Sequence, residues 1–234
     1  LVERLHLDFV RAGAKFDAGA QKRYAAIMGR LAELTTTFSQ NVLGDETAFT
    51  LLLSHSDLSG CPPDLVAAAR QAAAERDMAA DDHVITLSRS LVEPFLTFSD
   101  RRDLRERAWR AWTKRGELDP QRDNHPIMRE ILKLRAEQAG MHGYASFADY
   151  QTADTMAQRP ARVMELLENV WGKAKVSANA ERQALEEFVA SHAAEGDEAV
   201  DIQPWDWRYY AEKVRQSRYN FDEVELKPYL SLEA

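Results

Sequence analysis

Apolar residues recur at steps of three and four along most of the chain, the periodicity of helices with one buried face. The longest early example follows Asp17, a suitable N-cap residue. Its apolar positions are Tyr24, Ile27, Leu31, Leu34, Phe38 and Val42. We predict that this helix ends at Gly44, because glycine is favoured just beyond a helix C-terminus. Residues 1–13 predict an earlier helical segment, broken near Gly13.

Prolines, glycines and capping residues mark the ends of the other predicted helices. These helices are expected from Pro62 to about Arg76, Ser99 to about Gly116, Asn124 to Gly140, Ser146 to Tyr150, Pro160 to Gly196, and Pro204 to about Ser217. At 1.5 Å per residue, the helix from Pro160 would be on the order of 50 Å long, with Gly172 as a candidate bend. A short turn capped by Asp222 and stopped by Pro228 is predicted after the last helix.

Two short apolar stretches have the composition of strands rather than helices. Residues 47–53 are bounded by Asp45 and Ser54, and residues 83–87 are rich in β-branched side chains. We predict that the two stretches pair as a small antiparallel β-ribbon. The expected fold class is therefore mostly α, a multi-helix array with one ribbon.

Composition narrows the classes of partner. The net charge of −8 and the pI near 5.3 argue against a nucleic acid or an anionic membrane, since both require a basic surface. No apolar run approaches the roughly 18 residues of a membrane span. Cys61 is the only cysteine, so no internal disulfide can form, which fits a reducing compartment. The chain opens without an initiator methionine and closes after an apolar run, and we expect a piece of a longer protein.

The histidines do not form a recognisable zinc motif. They are His6, His55, His83, His125, His142 and His192. None precedes a glutamate and no two lie four residues apart, so the H-E-x-x-H motif of zinc peptidases is absent. Convergence of three distant ligands is the remaining route to a zinc site. Glu3 and His6 have the spacing of one di-iron motif, but such sites need two copies and two further glutamates.

Other candidate chemistry has simpler explanations. Asp81-Asp82-His83 and Asp123-Asn124-His125 suggest metal ligands, but each precedes a predicted element, and turn or capping chemistry explains both. Cys61 stands at a helix start, which could lower the pKa of its thiol. We therefore expect no catalytic and no metal-binding residue in this chain, and the substrate-binding residues stay unassigned.

The densest aromatic stretch is Gln203–Tyr210, which packs four rings, an acid and a base behind Pro204. We predict a helix that starts at this proline, with Trp205 and Tyr209 on one face and Asp206 and Tyr210 on the next. Rings of this size are normally buried, with the indole N–H and phenol O–H each seeking a partner. The simplest interpretation is a helix start packed into a core.

Several stretches, in order, resemble one enzyme family. Residues 131–139, Gly143-Tyr144 and 147–150 are similar to its L-x-x-R-x-E-x-A…G-[YF]…[YF]-A-x-[YW] pattern, and residues 103–112 resemble its R-x-x-x-[YWF]-x-A helix. Residues 226–230, Leu-Lys-Pro-Tyr-Leu, complete the likeness. Together they resemble the thimet oligopeptidase and peptidyl-dipeptidase family of zinc metallopeptidases. Residues 153–157 and 203–207 favour its dipeptidyl carboxypeptidase branch.

The resemblance implies a mostly helical peptidase whose two halves flank a channel for short peptides. In the family, H-E-x-x-H supplies two zinc ligands and the general base, a later glutamate supplies the third ligand, and all follow the Pro-Tyr motif, here Pro228-Tyr229. The sequence ends before that region. Zinc is therefore expected in the intact enzyme and not in this chain. His142 replaces an aliphatic residue of the family pattern, with an expected effect on local packing only.

These expectations describe residues 1–234 as a helical wall domain from the N-terminal side of the enzyme, with a subdivision near 117–123. Its partners would be short peptides and the missing C-terminal catalytic half, and the exposed flank would favour self-association. The intact enzyme would release C-terminal dipeptides in the cytoplasm, with the periplasm as the alternative. The rival hypotheses are a helical protein-interaction module without enzymatic activity and a degenerate, inactive relative.

Overall fold

The computed structural model describes residues 1–192 and 201–219, together with Tyr229. That part of the chain is mostly helical, as predicted. The helices are α1 (Val2–Arg11), α2 (Ala18–Ala48), α3 (Pro63–Ala74), α4 (Arg89–Phe98), α5 (Arg102–Thr113), α6 (His125–Met141), α7 (Phe147–Thr152), α8 (Pro160–His192) and α9 (Trp207–Tyr219). Short 3₁₀ turns occupy His55–Leu58 and Pro120–Arg122. None of the described helices combines the length and apolar composition that a membrane crossing requires.

The predicted β-ribbon is confirmed, although both strands are shorter than expected. Strand β1 (Leu51–Leu53) pairs with β2 (His83–Ile85) in antiparallel register, with Leu51 opposite Ile85 and Leu53 opposite His83. Leu51 and Leu53 are buried and Leu52 is exposed, because successive side chains of a strand point to opposite faces. The first residues of the expected strand instead complete α2.

The chain divides into two compact units. The first contains residues 1–45 and 116–174, and the second contains residues 46–115 and 175–234. In the first unit the core lies between α2 and α6 and contains Ile27, Leu34, Ile131 and Leu134. In the second unit the ribbon and α3, α4 and α5 share a core that includes Leu51, Ile85, Val92, Phe95 and Ala108. The expected wall domain with a subdivision near 117–123 stays a prediction.

The predicted end of α2 at Gly44 was wrong. The helix continues through Gly44 to Ala48. A Cβ atom at position 44 would lie 2.8 Å from Cδ of Arg122, so the glycine leaves room for this side chain, which a larger residue would displace. The reason for this glycine is a tertiary contact and not the end of the helix.

Two predicted helix starts were also wrong. Ser99 is the C-cap of α4 rather than the N-cap of α5. Helix α5 begins at Arg102, and its N-cap is Arg101. Pro204 lies in a turn, and α9 begins three residues later at Trp207. No helix was assigned from the sequence to the segment that forms α4, where Pro94 lies inside the helix.

The remaining boundaries agree with the predictions or lie outside the described residues. Helix α6 begins directly after Asn124, and α7 begins after Ser146, whose hydroxyl accepts a hydrogen bond from the N–H of Asp149 at 3.1 Å. Helix α8 runs without interruption through Gly172. Its predicted end at Gly196 and the turn from Asp222 to Pro228 lie outside the described residues.

Candidate functional site

The aromatic stretch 203–210 is organised around the buried carboxylate of Asp206. Nη2 of Arg105 lies 2.8 Å from one carboxylate oxygen, and Nη2 of Arg102 lies 2.7 Å from the other. The backbone N–H of Gln203 donates a further hydrogen bond at 3.1 Å. Burial alone would raise the pKa of Asp206, but these donors outweigh it and hold the pKa below its ordinary value. Asp206 is therefore a fixed anion that joins α5 to the turn before α9.

Aromatic rings surround this ionic cluster. The guanidinium of Arg105 lies 4.1 Å from the ring centroid of Tyr209, and Trp205 packs against Trp109 at 5.8 Å. The hydroxyl of Tyr209 donates to Asp100 at 2.8 Å, and burial together with this bond raises the pKa of Tyr209 to about 12. The expected packing into a core is observed. All bonding capacity of Asp206 is used internally, so we interpret the cluster as structural.

The partners of Asp206 were not identified from the sequence. Arg102 and Arg105 lie more than a hundred residues before Asp206, and no local pattern connects them with it. One sequence feature could have indicated the pair: the three-residue spacing of the two arginines, which places both guanidinium groups on one face of α5. Arg105 is almost completely buried, which is rare for an arginine without a charged partner.

In the first unit, a buried aspartate connects α2 to the segment after α5. The carboxylate of Asp45 accepts hydrogen bonds from the backbone N–H of Gly116 at 2.8 Å and of Leu118 at 3.0 Å. Nε of Arg122 donates to its other oxygen at 2.8 Å. Burial would raise the pKa of Asp45, but Arg122 and the two backbone donors lower it overall. This cluster also has a structural role.

His142 lies in an aromatic cluster of the first unit and not in a metal site. Its ring centroid is 4.9 Å from that of Phe16 and 5.2 Å from those of Tyr24 and Tyr150. Burial and the nearby charge of Arg11 lower the pKa of His142. A neutral imidazole that packs against three rings agrees with the expected effect on local packing.

The other sequence candidates have the roles of turn and capping residues. Oδ2 of Asp82 accepts the backbone N–H of Ala79 at 3.0 Å. Oδ1 of Asp123 accepts the N–H of His125 at 2.9 Å and lies 2.6 Å from its ring Nδ1. Across residues 1–192 and 201–219, no three histidine, cysteine, aspartate or glutamate side chains are grouped closely enough to hold a metal ion.

The structure does not lower the pKa of Cys61, which its position at a helix start had allowed. Burial, together with the negative charge of Asp100, raises the pKa of Cys61 to about 11. At neutral pH the side chain is therefore a protonated thiol, and the helix start nearby does not activate it.

The exposed feature that most resembles a binding surface is one face of α8. Its apolar residues between positions 163 and 174 cover roughly 160° of the helix circumference, at about 100° per residue. We call this surface the α8 apolar face; it comprises Val163, Met164, Leu166, Leu167, Val170, Trp171 and Ala174. Trp171 is 66% exposed and Leu167 is 54% exposed. The sequence pattern predicted a helix here but gave no sign that its apolar side is uncovered.

Comparison with known proteins connects these features to one family. A family model described as peptidase family M3 matches residues 95–234. Oligopeptidase A of Salmonella typhimurium is 33% identical over 227 residues, which cover 95% of this chain and 32% of that protein. Dipeptidyl carboxypeptidase of Escherichia coli is 29% identical over 233 residues, 99% of this chain and 34% of that protein. The chain thus spans about a third of the length of these relatives.

Proposed function

The chain belongs to peptidase family M3, and on this premise we propose that it is the non-catalytic helical part of a zinc metallopeptidase that hydrolyses short peptides. The membership confirms the resemblance found in the sequence. The chain would form one side of the substrate channel, and the intact enzyme would release C-terminal dipeptides. The motifs at residues 153–157 and 203–207 support this choice over internal cleavage.

The observation that carries the proposal is the α8 apolar face. An amphipathic helix normally buries its apolar side against another element. A contiguous exposed patch with large residues such as Trp171 and Leu167 is typical of a surface that another polypeptide covers. Since the relatives are about three times as long as this chain, we infer that the cover is the remaining polypeptide of the longer enzyme. Burial of each large side chain would contribute roughly 1 kcal/mol, because about half of its surface is exposed.

Zinc and its ligands belong, in this proposal, to the part of the enzyme beyond this chain. The described residues do not group into a set of metal donors, and the six histidines lack the spacing of H-E-x-x-H. When bound, zinc would polarise the peptide carbonyl and activate a water molecule. The chain itself would bind no stoichiometric zinc and would have no peptidase activity.

Two measurements test the proposal. Calorimetric titration of the purified chain with zinc should show no tight stoichiometric site, and one tight site per chain would refute this part of the proposal. The polypeptide that continues past Ala234 should carry H-E-x-x-H and should release dipeptides from the C-terminus of an N-acetylated peptide in a chelator-sensitive manner. Mass spectrometry of the products distinguishes dipeptide release from internal cleavage.

The alternative function is a helical protein-interaction module without enzymatic activity, since the α8 apolar face could equally receive a separate protein. The reading frame downstream of Ala234 distinguishes the two functions. A stop codon at that position favours the module, and an H-E-x-x-H motif favours the peptidase. We propose a cytoplasmic location with either function, because the only cysteine, Cys61, allows no internal disulfide.

A further inference from the structure

A groove of about 400 Å³ lies between α2 and α6 in the first unit. Its lining is mainly apolar and comprises Phe38, Met128, Ile131 and Leu132, with Thr35 and Ser39 on one side and Arg135 on the other. A volume of this size accommodates a small ligand or the end of a peptide. Leu132 is 66% exposed, so the groove is open to solvent.

Arg135 gives the groove a positive charge that no acidic side chain neutralises. Its guanidinium lies 5.1 Å from the ring centroid of Phe147, and within the described ranges it has no ion pair or hydrogen bond. The acidic side chains of α2 and α6 are all paired with other arginines: Glu33 and Glu130 with Arg30, Glu137 with Arg23, Asp45 with Arg122, and Glu46 with Arg115. Arg135 therefore has donors available for an anionic ligand.

The two hydroxyl groups of the groove are available as acceptors. Oγ1 of Thr35 donates its hydrogen to the carbonyl of Leu31 at 2.8 Å, and Oγ of Ser39 donates to the carbonyl of Thr35 at 3.1 Å. A hydroxyl that donates its only hydrogen to the helix backbone keeps its lone pairs for a donor from outside. A complementary ligand would thus combine an anionic group, an apolar group and an N–H.

We propose that this groove binds the C-terminal end of a short peptide whose last side chain is apolar. The terminal carboxylate pairs with Arg135, the last side chain lies on Leu132 and Met128, and a peptide N–H donates to Thr35 or Ser39. Paired hydrogen bonds between a guanidinium and a carboxylate give both strength and orientation. The proposal rests on the proposed function only in the choice of a peptide over another carboxylate.

Binding of defined probes to the full chain tests this proposal without any hydrolysis. The probe is acetyl-Ala-Ala-Leu with a free carboxylate, compared with the same peptide as its C-terminal amide. In methyl NMR titrations, the free acid should shift the signals of Met128 and Leu132 and should bind about tenfold more tightly than the amide. Equal affinity of acid and amide would overturn the proposal.

Substitutions on α6 separate the charge of Arg135 from general effects. Arg135→Gln should weaken binding of the free acid about tenfold and leave the amide unchanged, whereas Arg135→Lys, which keeps the charge but not the paired donors, should give an intermediate affinity. Arg129→Gln removes a positive charge from the same helix outside the groove lining and serves as the matched control. An unchanged affinity in Arg135→Gln, or an equal loss in Arg129→Gln, would contradict the assignment.

Octanoate distinguishes a peptide from a plain fatty carboxylate. It carries the apolar chain and the anion but has no N–H, so it should bind more weakly than the free-acid peptide. Equal or tighter binding of octanoate would overturn the peptide assignment. These experiments measure binding alone. A loss of peptide binding would therefore contradict the assignment of this groove, whereas the proposed peptidase function is tested separately by peptide hydrolysis.

Discussion

Replacement of Asp206 by alanine should destabilise the second unit strongly. The carboxylate is completely buried, and its partner Arg105 is only 2% exposed. Without the carboxylate, the guanidinium of Arg105 would keep its hydrogen bonds to the carbonyls of Ser99 and Trp205 but would lose its countercharge. Loss of one partner of a buried ion pair typically costs about 3–5 kcal/mol. The half-exposed Arg102 adds at most about 1 kcal/mol, because solvent screens its charge.

Urea denaturation followed by tryptophan fluorescence measures this loss, since Trp205 and Trp109 pack beside the cluster. The control is Glu186→Ala, which breaks an exposed pair with Arg182 on α8 and should change the free energy of unfolding by less than about 0.5 kcal/mol. A change in Asp206→Ala as small as in this control would refute the structural role of the cluster.

A second variant tests the cause of the loss. If an uncompensated guanidinium is responsible, then Arg105→Met combined with Asp206→Ala should cost less than the sum of the two single substitutions. Strictly additive costs would show that Asp206 and Arg105 do not stabilise the fold as a pair.

The charge of Asp206 should also make stability depend on pH. The folded-state pKa is lower than the unfolded value of about 3.9. The contribution is therefore complete above about pH 5 and is lost as the pH falls below the unfolded pKa. The difference in free energy of unfolding between the wild type and Asp206→Asn should accordingly shrink between pH 5 and pH 3. A constant difference across this range would mean that the ionised carboxylate of Asp206 does not cause the difference in stability.

Four further outcomes are expected. Gly60→Ala should lower the free energy of unfolding in urea by about 2 kcal/mol or more, because φ is +80° and the new Cβ would lie 2.3 Å from the carbonyl oxygen of Phe98. Gly29→Ala, where the new Cβ would have no neighbour within 4 Å, should instead raise it by up to about 1 kcal/mol. Cys61 should react with a disulfide reagent at pH 8 at least about a hundredfold more slowly than a free thiol, since its pKa is about 11. Unfolding in urea should restore a fast reaction. Fast labelling of the folded chain would contradict the raised pKa. Trp171→Glu should reduce self-association in sedimentation experiments without lowering the denaturation midpoint, because the indole is 66% exposed. Unchanged self-association would exclude the α8 apolar face as the surface through which copies of the chain associate.

Local sequence signals predicted most of the secondary structure because helix periodicity and capping depend on near neighbours. The start of α6 after Asn124 and the pairing of β1 with β2 are of this kind. Gly44 and Pro204 were misjudged because their surroundings are set by tertiary contacts. Gly44 accommodates Arg122, and the turn at Pro204 positions Asp206 for Arg105, 101 residues away in the sequence.

The candidate binding surfaces were less accessible to sequence reasoning. Helical spacing predicted α8 itself, but periodicity does not distinguish a covered apolar face from an open one. The free charge of Arg135 depends on the pairing of every acid on α2 and α6 with another arginine. The pairing of these acids depends on which side chains are neighbours in the folded structure, and sequence periodicity does not show this.

The hydrogen bond between Asp45 and Gly116 has a consequence for protein engineering. These residues are the last before, and the first after, the segment 46–115 that leaves the first unit, and a carboxylate oxygen of Asp45 lies 2.8 Å from the backbone nitrogen of Gly116. The segment is thus a loop insertion whose two ends meet. Domain insertions of this geometry are commonly tolerated, because a short bridge can reconnect the host. A two- or three-glycine bridge from Asp45 to Gly116, in a chain that also ends at residue 174, should therefore give a contiguous, independently expressible version of the first unit.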